Sequence, residues 1–209
     1  MKIKYFNEFN DELTNNQINN SINYYKVYFD SNNEIVTKEY FENKILHSIY
    51  YFLRTDEIES EIIETLLDKL LTYIFIVKKS VVNDFSLESY NIYDKNNSLV
   101  GCLNKLYDQL GNVICDSPFI IETNQYDFSH TIKSYYDKNK EFETDLVFDA
   151  SYDYDGSLIL ISYNPGSYQD DLIFRNNEDD IAELASLTEK SENFIRYYMN
   201  GNILPPPSN

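Results

Sequence analysis

The sequence predicts an α+β fold: antiparallel β-meanders and hairpins packed against one long amphipathic helix, with a C-terminal helical region. Three observations lead there. A short pattern recurs, in which an aromatic residue and Asp are followed by a few polar residues with Asn or Gly, and then by aliphatics. One stretch, about residues 55–77, repeats apolar residues at the 3.6-residue period of a helix. Another, about 178–200, opens on Glu178, Asp179 and Asp180 and closes on Asn200-Gly201, the charge and cap pattern of a helical segment.

Taken in order, residues 1–21 form a polar N-terminal segment. Residues 22–30, 34–41 and 44–54 read as three antiparallel strands with tight turns between them. The helix follows, with Thr55 as N-cap and Asp56 and Glu57 in its first turn. Ile58, Ile62, Ile63, Leu66, Leu67, Leu70, Leu71 and Ile74 share one face, Glu57, Glu61, Glu64 and Asp68 lie opposite, and Lys78 and Lys79 complement the C-terminal end. Further strands are expected near 90–94, 98–106, 112–116, 130–137, 141–154 and 157–164. Leu158 to Ile161 is apolar on both parities, as in a strand covered on both sides, and Asn164-Pro165-Gly166 ends it. Ser186 and Glu189 have capping-box spacing, which divides the C-terminal region into two helices. Pro205, Pro206 and Pro207 make residues 202–209 an extended tail. No interior linker stands out, so residues 1–209 are expected to form a single domain.

The recurring pattern has a local physical basis. It appears at Phe29-Asp30 to Val36, Tyr93-Asp94 to Val100, Tyr107-Asp108 to Ile114 and, more loosely, at Tyr136-Asp137 to Phe142 and Tyr154-Asp155 to Ile159. In each, the Asp carboxylate accepts from turn amides and Asn or Gly takes positive φ, so each predicts a hairpin. The irregular spacing excludes a solenoid or propeller.

Composition narrows the function classes. With 43% hydrophobic residues among 209, the chain has enough apolar surface for a core. Its 35 acids against 17 bases, a net charge of −18, disfavour nucleic acid and anionic membranes. The most apolar stretch, Leu66 to Val77, is too short to span a bilayer and contains Asp68 and Lys69, so no membrane insertion is expected. No apolar run follows the N-terminal lysines, which points to the cytoplasm and to Cys102 and Cys115 as reduced thiols.

The acids are concentrated. Between Glu141 and Glu192 there are 14 acids and 2 bases. Within Glu141 to Asp155, Glu141, Glu143, Asp145, Asp149, Asp153 and Asp155 share one parity; Phe142, Leu146, Phe148, Ala150, Tyr152 and Tyr154 share the other. On extended chain the six carboxylates would form a row spaced about 6.6–6.8 Å. Either they are a solvated sheet face or they dock a basic partner, and these six are the candidate partner-binding residues. Asp153-Tyr154-Asp155-Gly156 resembles part of a calcium loop, but Ser151 and Ser162 stand where its terminal ligands belong, so a turn is expected and no metal. His47 falls on an apolar strand face and His130 precedes a strand. Neither sits in a catalytic motif and no phosphate-binding loop occurs, so no catalytic residue and no cofactor are assigned. Tyr24, Tyr25, Tyr28, Tyr40, Tyr50 and Tyr51 cluster in the first meander, where exposed Tyr suits a protein interface or sugar stacking.

Taken together, the Tyr28 to Phe52 meander, the amphipathic helix and the Glu141 to Asp155 segment resemble bacterial immunity proteins, which neutralise toxin domains of polymorphic-toxin or contact-dependent inhibition systems. Tyr107 to Val113 is similar to a single copy of the YD repeat of large toxins. The resemblance implies a non-enzymatic antitoxin in a stoichiometric complex with a basic toxin domain. The alternatives are a cytoplasmic carbohydrate-binding module using exposed Tyr, and an enzyme with a carboxylate site that no motif marks.

Overall fold

The computed structural model describes residues 1–69, 72–123, 125–137, 146–163 and 172–203. Its dominant feature is a mostly antiparallel sheet of thirteen strands, accompanied by short helices, and this replaces the expected hairpins on one long helix. The strands are β1 (Lys2–Phe6), β2 (Tyr24–Phe29), β3 (Ile35–Glu42), β4 (Ile45–Phe52), β5 (Tyr73–Val82), β6 (Phe85–Asp94), β7 (Leu99–Tyr107), β8 (Val113–Ile120), β9 (Gln125–Tyr126), β10 (Ile132–Tyr136), β11 (Leu146–Tyr152), β12 (Leu158–Tyr163) and β13 (Leu172–Phe174). The helices are α1 (Asn15–Asn20), α2 (Glu59–Leu67), α3 (Glu178–Thr188) and α4 (Glu192–Tyr197). Hydrogen-bonded order follows chain order from β1 to β13, except that β9 pairs with β8 off the main path. The chain groups into two compact units, residues 1–79 with 89–102 and residues 80–88 with 103–209.

In the first unit, β1 to β4 form an antiparallel meander, and the segment expected to be merely polar supplies its first strand. The long helix divides. Its N-terminal part is α2, whose N-cap position is Ile58 rather than Thr55; its C-terminal part, from Tyr73, is β5, paired parallel to β4. Leu70 and Leu71 lie outside the described residues. The reason is steric. Tyr73-Ile74-Phe75-Ile76-Val77 is an unbroken β-branched and aromatic run, which crowds a helix and suits a strand. The β4–α2–β5 crossover then buries Ile63 and Leu66 on Ile49, Ile74 and Ile76. Leu66→Ala is expected to cost about 2–5 kcal/mol by urea unfolding, and a loss within error of zero would contradict this packing.

In the second unit, β8, β10, β11, β12 and β13 are antiparallel neighbours. Phe148, Ala150, Tyr152, Ile161, Tyr163 and Phe174 form a core with Ile181 and Leu184 of α3 and with Phe194, Ile195, Tyr197 and Tyr198 at α4. The helical region does break in two, but Ser186 and Glu189 do not cap the break. Glu189 takes the left-handed conformation at φ 57°, and Ser191 Oγ accepts from the Phe194 amide to start α4. Asn177 caps α3 by accepting from the Asp180 amide at 2.8 Å.

The hairpin turns follow the recurring pattern. Asp30 Oδ1 accepts from the Asn32 and Glu34 amides, Asp94 Oδ1 from Asn96 and Ser98, and Asp108 Oδ1 from Leu110 and Asn112. Asn33, Asn97 and Gly111 take the positive φ that follows. These amides hold the Asp30 and Asp94 carboxyls below the usual range. The looser copy from Tyr136 to Phe142, the Asn164-Pro165-Gly166 turn and the prolines of the tail fall wholly or partly outside the described residues.

Candidate functional site

Of the six acids read as a row, Glu141, Glu143 and Asp145 lie outside the described residues. Asp149 is in mid-strand on β11, opposite in face to the buried Phe148 and Ala150, and accepts from Ser134 Oγ of its cross-strand partner. The strand ends at Tyr152, so Asp153 and Asp155 belong to the β11–β12 turn. The Asp153 amide donates to the Ser157 carbonyl at 2.9 Å, and Asp155 Oδ1 accepts from the Ser157 amide at 2.8 Å. The Ser157 hydrogen bonds hold the Asp155 carboxyl below its usual range.

Tyr154 sits between those two aspartates and is 82% exposed. The sequence parity groups it with the core residues Phe148 and Tyr152. Because the turn begins at Asp153, the alternation stops and the ring projects into solvent.

The turn is held from beneath. Gly156 has φ +82°, and a carbon added to it would meet the Phe128 ring at 3.1 Å. The Gly201 amide donates to the Gly156 carbonyl at 2.9 Å, and Ser157 and Asn200 form an antiparallel bridge. A carbon added to Gly201 would meet Phe128 at 2.7 Å. Gly201→Ala is therefore expected to push Phe128 from under the turn and to cost about 1–3 kcal/mol, read by thermal unfolding; an unchanged Tm would refute the brace.

Charge divides between the units. The second carries 21 of the 35 acids but 7 of the 17 Lys and Arg, a net of −14. Of its bases, Lys105 pairs with Asp116 at 3.0 Å, Arg196 pairs with Glu178 and Glu192, and Lys133 is wholly buried. Arg175 is exposed, and so are the acids Asp153, Asp155, Glu178 and Asp179.

Lys133 had no signal in the sequence. It lies on the core face of β10, and its Nζ donates to the Tyr197 carbonyl at 2.8 Å, with the Tyr197 ring centroid 3.7 Å away. Beside it, Tyr152 Oη donates to the Tyr198 carbonyl at 2.8 Å. Two side chains from the sheet thus satisfy carbonyls that the end of α4 leaves open, and a cation sits at the negative end of the helix. Burial pushes the Lys133 ammonium down to about 7 and the neighbouring Cys115 thiol up to about 12. Such a thiol is protonated and unreactive at neutral pH.

In the first unit the clustered tyrosines are engaged. Tyr28 Oη donates to Glu39 at 2.9 Å, Tyr40 Oη to Glu8 at 3.0 Å and Tyr51 Oη to Glu57 at 2.8 Å. Tyr24 stacks on Phe41 and Tyr50 on Phe75. A groove of about 270 Å³ opens beside α2, lined by Tyr28, Tyr51, Glu39, Thr37, Thr65 and Leu66 among others. His47 Nε2 is 3.9 Å from Glu42, and His130 Nδ1 is 2.9 Å from Asp127. Cys102 and Cys115 are free thiols. Among the described residues, no group of three His, Cys, Asp or Glu could hold a metal ion, and no helix is long and apolar enough to cross a membrane.

No protein-family model, curated protein or solved structure matches the chain.

Proposed function

We propose that the chain is an immunity-type protein that binds a basic toxin domain and neutralises it by occupancy, in the cytoplasm and without chemistry of its own. The observation that carries this reading is Tyr154, 82% exposed and held between Asp153 and Asp155 on a braced turn. An exposed tyrosine on rigid backbone is a low-entropy anchor for a protein interface. The surplus of acids in the second unit supplies long-range attraction for a cationic partner. Glu141, Glu143, Asp145, Asp149, Asp153 and Asp155 are the residues assigned to that surface.

The test is co-expression with each candidate toxin domain that a neighbouring gene is found to encode. Growth should be rescued, and the two proteins should elute together from a sizing column in a fixed ratio. Rescue without a complex would point instead to an enzyme acting on the toxin or its product.

A second reading, a saccharide-binding module, draws on the groove beside α2, where Tyr28 and Tyr51 flank Glu39, Thr37 and Thr65. Calorimetric titration with mono- and oligosaccharides tests it, and heat that disappears in Tyr51→Ala would favour it over the toxin-binding reading.

A further inference from the structure

We propose that the interior of the second unit binds one small monovalent anion, of the size of chloride, between Lys133 and Tyr197. Hydrogen-bond donors there outnumber acceptors. The Lys133 ammonium has three N–H donors and is wholly buried, yet among the described residues it makes one hydrogen bond, to the Tyr197 carbonyl. Among the described residues no carboxylate pairs with it.

Tyr197 is 7% exposed, and its buried Oη has no hydrogen-bond partner among the described residues. Nζ lies 3.7 Å from the centroid of that same ring, so one ligand can touch both groups. Cys115 is the cross-strand Cα partner of Lys133, is itself buried, and holds its proton, adding an S–H donor on the same side of the sheet. The acceptors nearby are mostly committed. The Tyr197 carbonyl receives Lys133, and the Tyr198 carbonyl receives Tyr152.

A buried site rich in donors and poor in acceptors suits an acceptor-only ligand. A water molecule would bring two hydrogens of its own needing partners, whereas a halide brings none. A halide also supplies the missing counter-charge. The acids of the second unit and the carbonyl end of α4 oppose an anion. Solvent screens the exposed acids, while the ammonium acts at contact distance in a low-dielectric interior. The titratable groups facing the site are Cys115 from β8, Tyr152 from β11, and Tyr197 and Tyr198 from α4.

The experiment compares thermal unfolding at pH 6.5 in sodium chloride and in sodium gluconate of equal ionic strength, for the wild type, Lys133→Met and Tyr197→Phe. Chloride at about ten times its dissociation constant should raise the wild-type Tm by roughly 3–6 °C over gluconate. The gain should vanish in Lys133→Met and shrink in Tyr197→Phe, which removes only the hydroxyl and keeps the ring. Crystals grown in bromide should show an anomalous peak within contact of Nζ and Oη. Equal Tm values in the two salts, or a chloride gain that persists in both variants, would overturn the proposal. So would a bromide-free site holding a water.

Discussion

Folding stability is expected to rise as the pH is raised from about 7 towards 10, and Lys133 is the reason. An unfolded lysine titrates near 10.4, whereas burial pushes this one down to about 7. Between those values the unfolded chain carries a proton that the folded chain does not, so removing protons favours folding. The slope is at most about 1.4 kcal/mol per pH unit for one group. The Tyr197 carbonyl and ring both favour the charged form in the folded protein, so a total gain on the order of 2–4 kcal/mol is expected across the window. Above pH 10 the trend should reverse. Tyr152, Tyr197 and Tyr198 are held protonated by burial, while their unfolded counterparts ionise.

Urea unfolding at pH 7, 8, 9 and 10 in chloride-free buffer measures this directly. Lys133→Met fills much the same volume without the charge. It should flatten the pH 7–10 slope and change stability at pH 7 by no more than about 1–2 kcal/mol, since the lost buried charge offsets the carbonyl left unpaired. Lys133→Ala leaves both the carbonyl and a cavity, and should cost about 3–5 kcal/mol. A wild-type slope retained in Lys133→Met would show that another group governs the pH dependence.

What the sequence reveals about this molecule depends on how local the cause is. The Asp30, Asp94 and Asp108 turns are legible because the accepting carboxylate, the donor amides and the left-handed residue lie within five positions of one another. The break in the C-terminal helical region is expected from the wrong residues: Glu189 in the left-handed conformation and Ser191 as N-cap make it, not a Ser186–Glu189 capping box. The fate of Tyr73 to Val77 is not local. Ile74 continues the helical period from Ile63 and Leu66, and also fits a buried parallel strand; only pairing with β4 decides. Tyr154 is misplaced by the pattern because the alternation runs on in the sequence two residues past the end of β11 at Tyr152. Lys133 is the least legible. It alternates with Ile132 and Ser134 like any solvent-facing lysine, and its burial depends on α4, which lies about sixty residues further along the chain.

At the proposed interface, Tyr154→Ala and the acid reversals are expected to act on different rate constants. Tyr154 supplies short-range contact, so its truncation should speed dissociation of the toxin complex. A central aromatic anchor contributes about 2 kcal/mol or more, which corresponds to roughly a 30-fold loss of affinity. Asp153→Lys combined with Glu143→Lys changes the field instead. Surface pairs are individually worth about 0–1 kcal/mol, but long-range attraction can raise association rates by factors of about 10 or more at low salt. The double reversal should therefore slow association several-fold, and added salt should erase most of the difference between it and the wild type. Asp155 is left in place because its carboxylate holds the Ser157 amide, and Asp149 because it receives Ser134; changing either would confound charge with folding. Stopped-flow mixing with the toxin domain at two ionic strengths separates the two rates. If Tyr154→Ala dissociates at the wild-type rate, the turn is not the anchor. If the double reversal associates at the wild-type rate in low salt, the acids form a solvated surface and the partner is recognised elsewhere.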